Sequence, residues 1–407
     1  MIRVAHVITR LDLGGAQDNT LHTVSRLQPP FEPHLFAGRG GLLDAEAERR
    51  LGAGLTFVPS LVHPIHPVRD LQAVLALARA FRRLKPAIVH THSSKAGIVG
   101  RAAARLARVP VVLHSIHGFG FHDGQPAWLR RTLVAAERAA RPWTTHFITV
   151  AAIHIRRGAA LGVVDPDRAS VLRSGVHLAD LAAAAARSER TGRAALRASL
   201  GLPAGGPIVG MVACLKPQKA PLDFVEAAAQ VASLRPDATF VLVGDGPLRP
   251  AIEARARVLG IDARMHLLGW RRDVPDLLAA FDVAVLTSLW EGLPRVVPEA
   301  IAAGCPLVVT AVDGAAEILR HDQHALLVPP SDPVAVGREV SRILADPALG
   351  RRLVEAARPL LCEFDIDRMV RDQEALYTRL LAGAGEALSP GEQVSGGAGR
   401  GARRRVA

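Results

Sequence analysis

Two glutamates, Glu291 and Glu299, enclose the stretch of the chain with the densest concentration of chemically useful groups. A β-branched apolar run precedes Glu291 and a helix-forming run follows Glu299, so the stretch should include a strand end, a turn and a helix start. The two carboxylates could accept hydrogen bonds from sugar hydroxyls, and the amides of Gly292 and Leu293 would suit an anionic or hydroxyl-rich ligand. A capped helix start with solvated glutamates is the alternative, and the surrounding loops must decide between the two.

Other predicted strands of the second half also end in polar or glycine-rich loops. Lys216 and Lys219 lie between a predicted strand and a helix that begins near Leu222, where ammonium groups would point at a phosphate. Glycine loops at 244–247 and 269–273 end the next two strands. One such loop is weak evidence, because glycine loops also simply turn the chain. Four consecutive strand ends of this kind predict a nucleotide-binding cleft.

The first half begins with a strand, a Gly14-Gly15 loop and a helix. Two glycines allow the backbone to approach a phosphate closely at a helix N-terminus. The third glycine of a dinucleotide fingerprint is absent, so NAD binding is poorly supported.

Three histidines, His114, His117 and His122, lie within nine residues of one another after another predicted strand. Their loop is irregular and no carboxylate pattern accompanies them, so we favour structural roles for His114 and His122 over a metal site. His90 and His92 end a neighbouring strand. They either line the cleft or are satisfied loop histidines.

The net charge of +12 lies entirely in the first half. Residues 1–190 carry 25 Lys and Arg against 13 Asp and Glu, whereas residues 191–407 carry 25 of each. Lys95 opens a predicted helix in which Arg101, Arg105 and Arg108 share one face. Such a stripe is ordinarily solvated surface, yet its concentration in one half favours an anionic partner for that half. Aromatic residues make up only 4% of the chain, which argues against a single-stranded nucleic-acid partner. Because the charge lies in one half only, we expect no nucleic-acid partner of any kind.

Short β-branched runs alternate with helical patterns along the whole chain, which predicts two doubly wound α/β domains of Rossmann-like type facing a cleft. An Ala-rich segment near 181–192 should lead out of the first domain, giving expected domains at 1–185 and 186–365. Residues 386–407 are rich in Gly, Ala and Arg and predict a disordered basic tail. The predicted strands are 2–8, 34–37, 54–58, 87–90, 110–114, 146–150, 169–172, 207–213, 238–243, 264–268, 282–286, 306–309 and 325–328.

The 407 residues include three widely spaced cysteines, which provide no disulfide framework and no Cys-Cys zinc knuckle. The N-terminal residues form a strand pattern rather than a signal peptide, and no uncharged apolar run is long enough to span a bilayer. We therefore expect a cytoplasmic protein that could still bind a membrane peripherally.

These stretches resemble glycosyltransferase family 4, the retaining GT-B enzymes. The resemblance covers about residues 1–380 and is densest over 207–330. Its fold implies a helix at 366–385 that crosses back to the first domain. The residues that carry it are Gly14, Gly15, His117, Lys219, Gly244-Asp-Gly-Pro247, Asp273, Glu291, Gly292-Leu-Pro294 and Glu299.

The resemblance implies a role for each matching residue. Glu299 would bind the ribose hydroxyls of a nucleotide-sugar, and Lys219 would hold the diphosphate. Glu291 and the amides of Gly292 and Leu293 would hold the donor sugar. His117 would lie beside that sugar, so His117 and Glu291 are the candidate catalytic residues.

The loop expected to bind the diphosphate is where this sequence departs from the family. An Arg usually stands five residues before the loop lysine, and here Cys214 takes its place. A thiol does not supply that charge, and Lys216 is the nearest substitute. The Gly14-Gly15 loop would touch the same diphosphate.

We therefore predict a retaining glycosyltransferase that uses a UDP- or GDP-sugar, needs no cofactor and no metal, and acts on a glycan or lipid-linked acceptor in cell-surface polysaccharide or glycolipid synthesis. The resemblance implies that the basic first domain binds the acceptor, with Lys95 and Arg101 on the acceptor side, where His90 and His92 would also lie unless they are satisfied loop histidines. That domain would dock on an anionic membrane. Two alternatives stay open: a nucleotide-sugar epimerase, and a catalytically reduced protein that only binds sugar-nucleotides. The sugar, the base, the acceptor, the linkage and the oligomeric state are not encoded in these motifs.

Overall fold

The computed structural model describes residues 1–122 and 124–388. Its first sheet has seven parallel strands in the order β3-β2-β1-β4-β5-β6-β7. Each strand lies within a few residues of its predicted position. The strands are β1 Ile2–Arg10, β2 Phe31–Gly38, β3 Leu55–Phe57, β4 Ile88–His92, β5 Val111–Ile116, β6 His146–Thr149 and β7 Ala169–Val171.

Helices connect these strands and cover both faces of the sheet, as parallel pairing requires. Strands β1, β4 and β5 are almost wholly buried, which explains why they read as nearly continuous apolar runs. The helices are α1 Gly15–Arg26, α2 Asp44–Leu51, α3 Pro67–Leu84, α4 Ser94–Ala107, α5 Ala127–Ala140 and α6 Ala152–Ala160.

The second sheet has six parallel strands in the order β10-β9-β8-β11-β12-β13. These strands also confirm the predicted positions to within a few residues. They are β8 Ile208–Val212, β9 Thr239–Val243, β10 Met265–Leu267, β11 Val283–Leu286, β12 Leu307–Thr310 and β13 Leu326–Val328. The helices of this half are α7 Leu178–Thr191, α8 Arg193–Ser199, α9 Pro221–Leu234, α10 Arg249–Val258, α11 Val274–Ala280, α12 Val296–Ala302, α13 Asp313–Ile318, α14 Pro333–Ala345, α15 Pro347–Ala357 and α16 Ile366–Leu388.

The strand order reverses at β1/β4 in the first sheet and at β8/β11 in the second. Ligands of doubly wound sheets bind beyond the carboxyl ends of the strands at such a reversal. Both reversals carry predicted site residues, because Gly14 follows β1, Lys216 follows β8 and Glu291 follows β11. The fold thus places the chemically useful loops on the two walls of one cleft.

The Ala-rich segment is a helix rather than a linker, because its small side chains let it pack closely on the second domain. Helix α7 contacts α11 and α12, and its Leu181 and Ala184 are buried. Arg187 on the same helix pairs with Asp276 at 2.6 Å. The second domain therefore begins near residue 178, and the expected boundary at 185/186 runs through the middle of α7.

Helix α16 returns to the first domain, as the resemblance implies. Its Met369, Val370 and Tyr377 are buried against β1 and β4, in one core with Val4 and Ile88. The helix extends to Leu388, three residues beyond its expected end at 385, and the rest of the expected tail, residues 389–407, lies outside the described part of the chain. Among the helices that are described, none is long and apolar enough to cross a bilayer.

Candidate active site

The loops of the two domains touch at Gly292. A Cβ on this residue would overlap the carbonyl oxygen of His117, and the Gly292 amide nitrogen lies 3.5 Å from where a Cβ of Gly118 would be. Glycine is required here because two backbones approach each other across the cleft. The contact brings the loop after β5 directly against the loop after β11.

Glu291 is buried in this contact and held on several sides. Its carboxylate pairs with the ammonium of Lys219 and accepts a hydrogen bond of 2.6 Å from the Ser288 hydroxyl. Its backbone amide donates to Asp313 at 2.8 Å, and its carbonyl oxygen lies 3.3 Å from Nε2 of His154. The charged pair therefore sits preorganised at the carboxyl end of β11, where a ligand could take part of the ammonium's hydrogen-bonding capacity.

Lys216 and Lys219 stand on the same loop but have different surroundings. Lys219 lies within reach of Glu291, while Lys216 is half-buried at the start of that turn. Burial raises the pKa of the nearby Cys214 thiol, although Lys216 and Lys219 oppose this shift. The thiol is therefore neutral near pH 7 and adds no positive charge to the pocket.

Glu299 belongs to a half-buried charge cluster that joins the two domains. Arg295 Nη2 lies 3.3 Å from Glu299 Oε1, and Arg295 Nη1 lies 2.6 Å from Asp18 Oδ2 in the first domain. Burial raises the pKa of Glu299, and the positive charge of Arg295 only partly opposes it. Burial would also raise the pKa of Asp18, but Arg295 outweighs it and the net shift is downward. Sequence reasoning missed Arg295 and Asp18, although Arg295 lies inside the motif.

The Gly14-Gly15 loop faces this cluster. Helix α1 begins at Gly15, where an added Cβ would lie 2.9 Å from Cδ of Arg295. The loop thus places the N-terminus of a helix beside a guanidinium group. The structure brings Gly14, Gly15 and Glu299 together around Arg295.

His117 is half-buried between the cleft and the interior of the first domain. Its Nε2 lies 3.3 Å from Nδ1 of His92, and its Nδ1 has no hydrogen-bond partner in the described chain. Burial lowers the pKa of His117 to about 4, so the ring is neutral near pH 7. A neutral imidazole here can donate or accept a hydrogen bond but brings no charge.

The other histidines of the two strand ends have packing roles. His114 is buried, with Nδ1 3.0 Å from the Thr91 hydroxyl, as expected for a structural residue. The ring of His122 stacks on Trp290 of the second domain at 3.8 Å between centroids. His90 and His92 are both buried, and His92 lines a small cavity with His117.

A metal-like grouping does occur, but away from the 114–122 loop. His6, His90 and His92 offer ring nitrogens that all lie within 4.8 Å of one another. Those nitrogens are engaged in hydrogen bonds, including a 3.0 Å contact between His6 and His92 and a 2.7 Å contact between His90 and Ser115. This geometry favours a hydrogen-bonded cluster, and the expectation that no metal is needed stays a prediction.

The two residues that the sequence placed on the acceptor side, Lys95 and Arg101, are both held in ion pairs within the first domain. Lys95 pairs with Asp70 at 2.7 Å and donates to the Pro64 carbonyl. Arg101 does not lie on a basic surface: it is fully buried and paired with Glu137. Helix α4 packs against the sheet and neighbouring helices, so its turn at Arg101 faces inward while Arg105 stays exposed.

Comparison with known proteins bears on this arrangement. A family model described as "Glycosyl transferase 4-like domain" matches residues 14–175, and one described as "Glycosyl transferases group 1" matches residues 206–346. Together they cover both walls of the cleft.

Similar proteins extend over nearly the whole chain. The UDP-Gal:alpha-D-GlcNAc-diphosphoundecaprenol alpha-1,3-galactosyltransferase of Escherichia coli is 32% identical over 380 residues, covering 92% of this chain and 96% of that protein. The 2-deoxystreptamine glucosyltransferase of Streptomyces kanamyceticus is 31% identical over 336 residues, covering 76% and 82%. These relatives support a transferase and give no support to an epimerase or a reduced binder.

The architecture is also that of solved structures. Anabaena HepE in complex with UDP and glucose superposes with a TM-score of 0.78 at 18% identity, covering 93% of this chain and all of that one. WaaG, a glycosyltransferase involved in lipopolysaccharide biosynthesis, superposes with a TM-score of 0.71 at 18% identity over 91% of this chain and 98% of that one. With its two matching domain models and its full-length relatives, the chain belongs to glycosyltransferase family 4 and has the GT-B fold.

Proposed function

We propose that this enzyme transfers a sugar, with retention of configuration, from a UDP-sugar to a lipid-linked glycan acceptor. The observation that carries the proposal is the meeting of Lys219, Glu291, Glu299 and the Gly14-Gly15 loop at one cleft. A relative that uses UDP-Gal and a solved neighbour that holds UDP favour UDP over GDP. The diphosphoundecaprenol acceptor of that relative favours a polyprenyl-diphosphate-linked glycan.

In this proposal the diphosphate lies between the Lys219 ammonium and the amides at the start of α1. Both are preorganised donors that would stabilise the charge developing on the leaving group. Arg295, beside Gly15, contributes a further positive charge from the second domain. It would partly replace the arginine that is absent at Cys214.

Glu299 and Glu291 would bind hydroxyls of the donor. Glu299 would exchange part of its contact with Arg295 for the ribose hydroxyls. Glu291, fixed by Ser288 and Lys219, would orient the sugar against His117. Closure of the cleft around Gly292 would exclude water and protect the donor from hydrolysis.

The proposal is tested by calorimetric titration of UDP-, GDP- and ADP-sugars into the wild type and Glu299→Gln. We expect binding of a UDP-sugar and a loss of roughly tenfold to a hundredfold in Glu299→Gln, because charge-assisted hydrogen bonds contribute about 1.5–3 kcal/mol. Unchanged affinity in the variant would refute the assignment of Glu299. Transfer of radiolabelled sugar to a synthetic polyprenyl-diphosphate GlcNAc tests the acceptor. If the enzyme binds the donor but transfers no sugar to this lipid, the proposed acceptor is refuted.

The first domain exposes apolar side chains on α3 and at the start of α5, and we propose that it docks peripherally on an anionic membrane through them. Helix α3 exposes Val68, Leu71 and Leu75, with exposed fractions of 61%, 60% and 40%. Their spacing places them on one helical face. Trp128, 69% exposed at the start of α5, is followed by two arginines. An apolar stripe flanked by basic residues is typical of interfacial binding.

Flotation with vesicles of phosphatidylglycerol and phosphatidylethanolamine tests this docking. We expect the wild type to float at low salt, and Leu71→Ser to float at least several-fold less. A matched control is Leu234→Ser, which alters an exposed leucine of the second domain and should float like the wild type. Absence of flotation for the wild type would refute the membrane proposal without affecting the donor site.

A further inference from the structure

A continuous run of hydrogen bonds connects α16 with His117 through the interior of the first domain. The side-chain nitrogen Nε2 of Gln373 donates to the Tyr377 hydroxyl oxygen at 2.7 Å. The same hydroxyl oxygen lies 3.4 Å from Nε2 of His6. Nδ1 of His6 lies 3.0 Å from Nε2 of His92. Nδ1 of His92 in turn lies 3.3 Å from Nε2 of His117. We call these five residues the histidine chain.

The rings of the histidine chain are neutral near pH 7. Burial lowers the pKa of His6 to about 3 and that of His117 to about 4. It also lowers the pKa of His92 well below the usual value, with His90, His6 and His117 adding to the effect. A neutral imidazole has one N–H donor and one acceptor nitrogen. Each contact between two rings therefore holds a single proton, and the tautomer of one ring determines the tautomer of the next.

The direction of the histidine chain is set at Tyr377. The phenol has one proton, and its oxygen accepts from Gln373. Two imidazole nitrogens compete for that proton: His90 Nδ1 at 2.6 Å and His6 Nε2 at 3.4 Å. The shorter distance is typical of O–H donation, so the phenol donates to His90. His6 must then donate from Nε2 to the phenol oxygen, which leaves its Nδ1 as an acceptor.

The donor and acceptor roles fixed at Tyr377 determine those of the next rings of the histidine chain, as far as His117. Nδ1 of His6 accepts from Nε2–H of His92, and Nδ1 of His92 accepts from Nε2–H of His117. We propose that Tyr377 is a positioning residue that holds His117 in the Nε2–H tautomer, so that the lone pair lies on its Nδ1, the ring nitrogen without a hydrogen-bond partner among the described residues.

The lone pair of His117 selects a particular ligand group. The ring lines a cavity of about 20 Å³ together with Asn19. Both amide atoms of Asn19 are buried without a hydrogen-bond partner in the described residues, as is Nδ1 of His117. A hydroxyl can donate to the lone pair and still bond the Asn19 amide, whereas an ionised phosphate oxygen has no proton to donate. The cavity therefore suits a sugar hydroxyl rather than the diphosphate, an assignment that rests on the proposed function.

The tautomer is measurable in the ligand-free protein. Long-range ¹H–¹⁵N spectra of protein labelled with ¹⁵N-histidine, assigned with His117→Gln, should show an unprotonated Nδ1 and a protonated Nε2 for His117. Tyr377→Phe keeps the ring that packs on Phe31 at 5.6 Å but removes the oxygen. We expect both His117 nitrogens in this variant to report a mixture of tautomers.

Two further variants sharpen the test. His90→Leu removes the competing acceptor, so the Tyr377 proton should pass to His6 and invert the chain, giving His117 an Nδ1–H. This variant keeps the test open where Tyr377→Phe does not fold. Thr91→Val is the matched control, because it breaks a buried hydrogen bond to His114 outside the histidine chain. It should leave the His117 spectrum unchanged.

Donor binding gives an independent measurement. If about half of the Tyr377→Phe molecules hold the competent tautomer, apparent donor affinity falls about twofold. The proposal is overturned by a protonated Nδ1 in the wild type, by an unchanged tautomer in both chain variants, or by stoichiometric metal on His6 and His92. Confirmed tautomers in a protein that binds no nucleotide-sugar would instead refute the proposed function alone.

Discussion

Arg295 of the second domain donates a 2.6 Å hydrogen bond to Asp18 of the first, across the cleft. The same guanidinium lies 3.3 Å from Glu299, the residue proposed to bind the ribose. One side chain therefore touches both the opposite domain and the proposed donor site. We expect this arrangement to couple closure of the cleft to donor binding, because a donor that bound Glu299 would change the pairing of Arg295.

We expect Asp18→Asn to favour the open enzyme. Loss of a partly exposed ion pair should shift closure by roughly 1 kcal/mol, or about fivefold in population. Small-angle scattering should show a larger radius of gyration, and kcat should fall more than donor affinity. Arg272→Ala is the control, because it removes a cross-domain pair, between the exposed Arg272 and the half-buried Glu46, that does not include Glu299. Equal effects of both variants would contradict a special role for Asp18.

Donor affinity should depend on pH through Glu299. Burial raises the pKa of this carboxyl, so it binds a proton at a higher pH than an exposed glutamate does. Acceptance of two ribose hydroxyls needs the ionised form, and affinity should therefore fall as pH decreases through that raised pKa. Isothermal titration between pH 7.5 and 5 measures the slope. Glu299→Gln should remove this pH dependence, and a slope that persists in the variant would assign it to another group.

The sequence predicts the elements within each domain better than it predicts the contacts between the two domains. All thirteen strands follow from local β-branched runs, and the glycine and lysine loops follow from the strand ends. The Asp18–Arg295 pair joins residues 277 positions apart, and no local pattern specifies it. Likewise, helical spacing placed Arg101 on a face with Arg105, but only tertiary packing determines which part of that face points inward. Tyr377 looks like an ordinary core aromatic until His6 and His90 are brought beside it by β1 and β4.

Gly292→Ala should impair catalysis without unfolding the protein. The added Cβ would overlap the His117 carbonyl oxygen, so the two loops must separate and the cleft cannot close fully. We expect kcat to fall at least a hundredfold, since misplacement by about 1 Å costs that much in oriented reactions. Gly205→Ala is the control, because its Cβ would meet no atom within 4 Å. Its melting temperature and kcat should match those of the wild type, and a fully active Gly292→Ala would contradict the closed geometry.

Arg101 should contribute to stability rather than to binding of an acceptor or membrane. Its guanidinium is fully buried, pairs with Glu137 and donates to the Gly97 carbonyl at 2.8 Å. Arg101→Met leaves the Glu137 carboxylate buried without its partner, which should cost about 3–5 kcal/mol of unfolding free energy. Chemical denaturation measures this loss.

The double variant Arg101→Met, Glu137→Leu should recover much of that loss, because it removes both buried charges and replaces them with apolar groups. Arg105→Met changes an exposed arginine one turn along the same helix and should unfold like the wild type. Vesicle flotation of a folded Arg101 variant should equal that of the wild type. A variant with wild-type stability but weakened flotation would contradict the buried role of Arg101 and support the basic surface that its helical spacing first indicated.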